Sequence, residues 1–177
     1  MSAMANLQIG RPNENEAPHW SYRYINLVEE DDILAVLEHQ RERALAYLSA
    51  ISEQESLYRY APGKWSIRQM LNHVSDGERI FAYRALWFAR GFDDPLPDFE
   101  ENTAALGAEA DRLPWATHVE EFGRVRLATI SLFQNMPQAG WTRKGIASGN
   151  PVTVRALAYI IAGHTTHHLN VLREKYS

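Results

Sequence analysis

The chain is 177 residues long, 45% hydrophobic and 23% charged, which fits one globular domain and excludes a disordered chain. Its 18 basic residues stand against 22 acidic ones, a formal net charge of -4, which argues against general nucleic-acid binding because that rests on basic charge facing phosphates. There is no cysteine, so disulfides, iron–sulfur clusters, cysteine-ligated zinc and a cysteine nucleophile are excluded, and chemistry falls to His, Asp, Glu and hydroxyl groups.

Residues 1–28 are polar, include Pro12 and Pro18, and read as a loose N-terminal lead-in to a single domain over 29–177. They hold no apolar run of the length a signal peptide or a transmembrane helix needs, so the expectation is a cytoplasmic protein without membrane contact. A first helix is predicted from about Glu29 to Ser52. Its four leading acids suit the helix dipole, and Ile33, Leu37, Ala44, Leu48 and Ile51 form one stripe. Pro62-Gly63 marks a turn. A second helix begins at Ser66, where Ser66 and Gln69 form a capping box, and ends near Arg90-Gly91. The stretch from Phe92 to Pro114 is long for a connection and carries Pro95, Pro97, Gly107 and Pro114. A third helix is predicted over about Thr117 to Met136, and a fourth over about Thr153 to Tyr176; no strand is predicted.

Four amphipathic helices make an all-α four-helix bundle. The long connection between the second and third is enough chain to run back along the bundle, which favours up-down-down-up order; a lid over an antiparallel pair is the alternative.

Of seven histidines, His164, His167 and His168 fall in the fourth helix. Residues four apart share a helix face, so His164 and His168 form the chelating pair, with His168 inside the apolar arc, His164 at its edge and His167 a bystander on the flank. His73 lies at the edge of the apolar arc of the second helix, one turn before Gly77. A mid-helix glycine is unfavourable by about 0.5–1 kcal/mol relative to Ala, and room beside the His73 ring would account for it. With the second and fourth helices antiparallel, His73 and His168 stand at similar depth, and three imidazoles converge with coordination positions left over, the layout of a catalytic metal site. Packed, hydrogen-bonded core histidines are the alternative reading. His39, His19 and His118 lie away from this cluster. Glu78 and Arg126 each fall on an apolar arc, which suggests a buried ion pair; Asp76 points away from the core and reads as a surface carboxylate. Trp65, Trp87, Trp115 and Trp141 sit near helix ends or loops, where they line a pocket or pack.

The run GKWSIRQMLNHVSDGERIF from Gly63 to Phe81, the closing GHTTHHLNVLREKY and the segment PLPDFEEN together resemble the DinB superfamily, over roughly residues 30 to 176. The resemblance implies an up-down-down-up bundle, a homodimer, and a divalent metal ion, zinc or nickel, on His73, His164 and His168. It also implies a low-molecular-weight thiol such as bacillithiol or mycothiol as small-molecule partner, in an S-transferase, isomerase or hydrolase. A non-catalytic metal-binding stress-response protein is the competing reading. Catalytic residues stay unassigned, since neither His167 nor Glu78 can be placed as a base from the sequence.

Overall fold

The computed structural model describes residues 9–176, so residues 1–8 of the expected lead-in lie outside it. In chain order the elements are α1 (Tyr22–Ile25), α2 (Ile33–Ser49), α3 (Ile67–Ala89), α4 (Glu101–Gly107), α5 (Trp115–Gln134), α6 (Gln138–Trp141), the strands β1 (Lys144–Ala147) and β2 (Asn150–Thr153), and α7 (Val154–Lys175). The four long helices start at caps. Asp32 accepts from the backbone of Ala35, and Thr153 from that of Ala156. Both halves of the Ser66–Gln69 capping box are made. Pro114 precedes α5, where its missing N–H costs no helix bond. The first helix therefore starts at Ile33 rather than Glu29, because Asp32 is the side chain that bonds the free amide.

End-to-end contacts set the directions. The Tyr159 hydroxyl, early in α7, bonds the carbonyls of Glu30 and Asp31 just ahead of α2, at 3.0 Å each, so α2 and α7 run the same way. The Tyr176 hydroxyl after α7 reaches the Trp65 carbonyl before α3 at 2.8 Å, so α3 runs the opposite way. Arg68, in the first turn of α3, donates to the Leu113 carbonyl at 2.6 Å just before α5, which makes α3 and α5 parallel. The Trp115 indole at the start of α5 donates to Leu48 near the end of α2. The order is up-down-down-up, with α2 and α3 each packed on both α5 and α7.

The apolar core falls into two clusters, one centred on Phe88, Phe133, Trp141 and Tyr159, the other on Leu48, Leu71, Trp115, Phe122 and Leu172. Residues near the middle of the four helices belong to neither cluster, and polar side chains fill that level: Gln40, Glu78, Arg126, His164 and Thr165.

The structure departs from the sequence expectation in three places. First, β1 and β2 form an antiparallel hairpin in which Lys144 pairs with Thr153 and Ala147 with Asn150. Its turn residues Ser148 and Gly149 both have positive φ, 51° and 74°, as a type I′ turn requires. Pro151 and the shortness of the strands hid this hairpin, although Ser-Gly is a turn signal. Second, α4 interrupts the long connection, capped by Glu100, which accepts from Asn102 and Thr103. Third, residues 9–28 are not a loose lead-in. Tyr24, Ile25 and Val28 are buried, and α1 packs on α7 at Gly163, where a Cβ would stand 2.0 Å from the Tyr24 carbonyl oxygen. Glu16 ties this segment to the start of α7, accepting from Thr153 Oγ1 and Arg155 Nε at 2.8 Å each.

Burial of Glu16 alone would raise its pKa, but hydrogen bonds from Arg155, Asn13 and Thr153 and the charge of Arg155 outweigh that and hold it below its ordinary 4.5. Its stabilising contribution is therefore complete above about pH 4.5 and disappears as pH falls through the lower folded value. Thermal unfolding followed from pH 6 to pH 3 should show this loss in the wild type, and the slope should be shallower in Glu16→Gln.

Candidate metal centre

His73 on α3 and His164 and His168 on α7 meet at mid-bundle, with one ring nitrogen from each lying within 4.8 Å of the others. His164 Nε2 stands 3.0 Å from His73 Nε2 and 3.1 Å from His168 Nε2. His73 and His164 are buried and His168 is partly exposed, the reverse of the expectation that His168 lies inside the apolar arc and His164 at its edge. The reason is local. The covering of α7 by α1 seals His164, whose ring meets Tyr24 edge-on at 5.3 Å. Gly77 makes room for His164 rather than for His73, since a Cβ there would lie 3.1 Å from His164 Cε1. Trp65 supports His73 from outside, ring to ring at 4.9 Å.

Burial lowers the pKa of all three imidazoles. For His73 that is the whole cause, opposed by Glu101 and Asp76; His164 falls well below its usual value, with the neighbouring histidines adding to burial; His168 is pushed down to about 3. Neutral rings present lone pairs. An sp² ring nitrogen offers one hydrogen or one lone pair in its plane, so His164 Nε2 cannot make good hydrogen bonds to both neighbours at once. Two nitrogens held about 2.0–2.1 Å from a tetrahedral ion stand about 3.3 Å apart, close to the spacings found here. The donor set therefore fits a divalent cation of the kind imidazole suits. His168 Nδ1 is buried with no partner among the described residues, so the carbonyl or carboxylate that commonly orients such a ring is absent at that position.

Directly behind the histidines lies the buried ion pair. Arg126, fully buried, donates from Nε to Glu78 Oε1 at 2.8 Å and from Nη2 to Glu78 Oε2 at 2.9 Å. It also donates to Gln40 Oε1 at 2.6 Å and to Thr165 Oγ1 at 2.9 Å. Thr165 follows His164, so the network holds the register of α7 where it carries the ligands. Glu78 is thereby fully engaged by Arg126. His167 is not part of the three-nitrogen group and packs on Tyr24 and His168. Asp76 accepts from Asn72 and Arg79, and among the described residues it hydrogen-bonds no histidine. His118 is buried against the Ala110 carbonyl, while His39 and His19 are exposed. Of the tryptophans, Trp65 alone reaches a site histidine; Trp115 and Trp141 are core, and Trp87 stacks on Phe92.

Two cavities reach the histidines. One of about 380 Å³ is lined by His73 and His164 together with Tyr24, Phe81, Arg84 and Glu101. Another of about 290 Å³ is lined by His167, His168 and Trp65. The sequence reading missed Tyr24, because a polar lead-in showed no periodicity, and Arg84. A signal for Arg84 existed: it lies seven residues after Gly77, on nearly the same face of α3.

The model of the DinB superfamily matches residues 36–172. No curated protein matches. Solved structures that share the fold include the following two. YfiT from Bacillus subtilis, described as a probable metal-dependent hydrolase with an unusual four-helix bundle topology, is 15% identical with a TM-score of 0.68, covering 96% of this chain and 95% of that one. A mycothiol-dependent maleylpyruvate isomerase is 13% identical with a TM-score of 0.67, covering 82% of this chain. This chain spans 61% of that isomerase's length.

Replacing Arg126 with Met leaves Glu78 buried without its partner and should destabilise by about 3–5 kcal/mol in urea unfolding. The double variant Glu78→Met, Arg126→Met should recover a large part of that loss, since no charge is then left unpaired.

Proposed function

The chain belongs to the DinB superfamily, and on that premise we propose that it is a metal-dependent enzyme of the thiol S-transferase type, with a divalent ion on His73, His164 and His168. The observation that carries the reading is the convergence of three neutral imidazole nitrogens at one point that hydrogen bonding among them cannot satisfy. A divalent ion held there would supply Lewis-acid polarisation beside both cavities, one lined by His73 and His164 and the other by His168. Two openings suit a reaction of two partners better than hydrolysis of one, with a low-molecular-weight thiol in one cavity and an electrophile in the other. The chain has no cysteine, so the thiol must arrive as a substrate. Tyr24 and Trp65 exclude water from the imidazole rings they cover, and Gly77 keeps His164 seated. Hydrolysis is the second reading, favoured by the fold shared with YfiT.

Protein purified without a histidine tag should carry about one zinc or nickel ion per chain by elemental analysis, and His164→Ala and His168→Ala should each abolish it. A panel of low-molecular-weight thiols with electrophiles should then give conjugation in the loaded wild type only; activity surviving in both variants refutes the reading. Gly77→Ala should weaken metal affinity about tenfold by displacing the His164 ring, with the fold retained in circular dichroism.

A further inference from the structure

Three arginines are buried among the described residues: Arg68, Arg84 and Arg126. Two are saturated. Arg68 donates to Ser56, to the carbonyls of Asp111, Leu113 and Glu53, and to the Glu53 carboxylate. Arg126 donates from Nε and Nη2 to Glu78 and from Nη1 to Gln40. Arg84 is different. It is 8% exposed, yet it spends only Nη2, on the Pro97 carbonyl and Ser148 Oγ at 2.9 Å each. Its Nε and Nη1 have no partner among the described residues, and neither is sealed from solvent. Among the described residues no carboxylate lies within 4.0 Å of it. Asp98, the nearest acid in the structure's charge balance, is turned to Ser148 Oγ and the Phe99 amide instead. A buried cation without a directly paired counter-charge is expensive to hold, and Asp98 offsets this one only from beyond contact, through Ser148 Oγ.

Arg84 lines the same cavity as His73 and His164. It stands two turns beyond Gly77 on α3, a rise of about 10 Å from the level where Gly77 meets His164. Apolar side chains, Phe81, Ile80 and Leu157 among them, line the cavity with them. The cavity's other charges are Arg23 against Asp98 and Glu101. Counted with Arg84 these charges cancel, so the two carboxylates repel a dianion more strongly than a singly charged group, which Arg84 can take on its free Nε and Nη1.

We propose that this cavity is the site of the electrophilic substrate and that the substrate is a carboxylic acid with an apolar body, its carboxylate on Arg84 and its reactive end at His73 and His164. The orientation rests on the three histidines being the reactive centre; the carboxylate subsite does not.

Hexanoate, hexanamide and hexyl phosphate are the probes, titrated into the full chain both metal-free and zinc-loaded. Hexanoate should shift the Arg84 Nε–Hε resonance in both forms, and hexanamide should not. Arg84→Gln should weaken hexanoate binding at least tenfold, Arg84→Lys should restore part of it, and zinc uptake should be unchanged in both. Equal binding of hexanoate and hexanamide, tighter binding of hexyl phosphate, or a wild-type Arg84 resonance that does not move each overturns the proposal. A chain that takes up no zinc but shows Arg84-dependent hexanoate binding refutes the metal reading and supports the carboxylate subsite. The wild-type resonance decides the matter should the variants fail to fold.

Discussion

Arg126 must find acceptors for a full guanidinium inside a four-helix bundle, out of reach of bulk solvent. It finds them on the other three long helices: Glu78 on α3, Gln40 and the Leu37 carbonyl on α2, and Thr165 on α7. The apolar clusters above and below can slide by partial repacking, but a desolvated ion pair tolerates little displacement before a charge is left unpaired. The polar layer therefore fixes the depth of each helix against the others. The histidines occupy that same layer. Gln40 extends it by donating to the Ala162 carbonyl and Thr166 Oγ1 on either side of His164, so α7 is held on both flanks of its first site residue.

The parallel arrangement of α3 and α5 has a consequence for the site. Because the connection must return the length of the bundle, it passes the open side of α3 and places Asp98, Phe99 and Glu101 beside Arg84 and His73. The hairpin closes the same wall: Leu96 bridges to Ala147, and Ser148 holds Arg84. The N-terminal segment closes the remaining side through Tyr24, which reaches α7 only because Gly163 has no side chain. Helices thus supply the imidazoles, and irregular segments supply the walls of the cavity. That division accords with a fold that hosts different reactions, since connections vary more readily than a buried ionic layer.

Much of the bundle was legible in the sequence because helices announce themselves locally. The Ser66–Gln69 box, the apolar stripes and the glycine after Arg90 are all short-range signals, and up-down-down-up order followed from one connection length. The i, i+4 spacing of His164 and His168 placed them together, and depth counting brought His73 to them. The Glu78–Arg126 pair was legible for a related reason: a charge on an apolar face demands a partner.

By itself, the sequence determined that four helices form, that three histidines and one ion pair point inward, and that any thiol must come from outside. The tertiary structure alone decided which histidine is sealed, which ring Gly77 admits, and that Arg84 is a buried cation with donors to spare. The reason is physical. Periodicity reports which side of an element faces inward, but burial depends on what covers that side, and here the cover comes from segments without periodicity: residues 9–28, the long connection and a short hairpin.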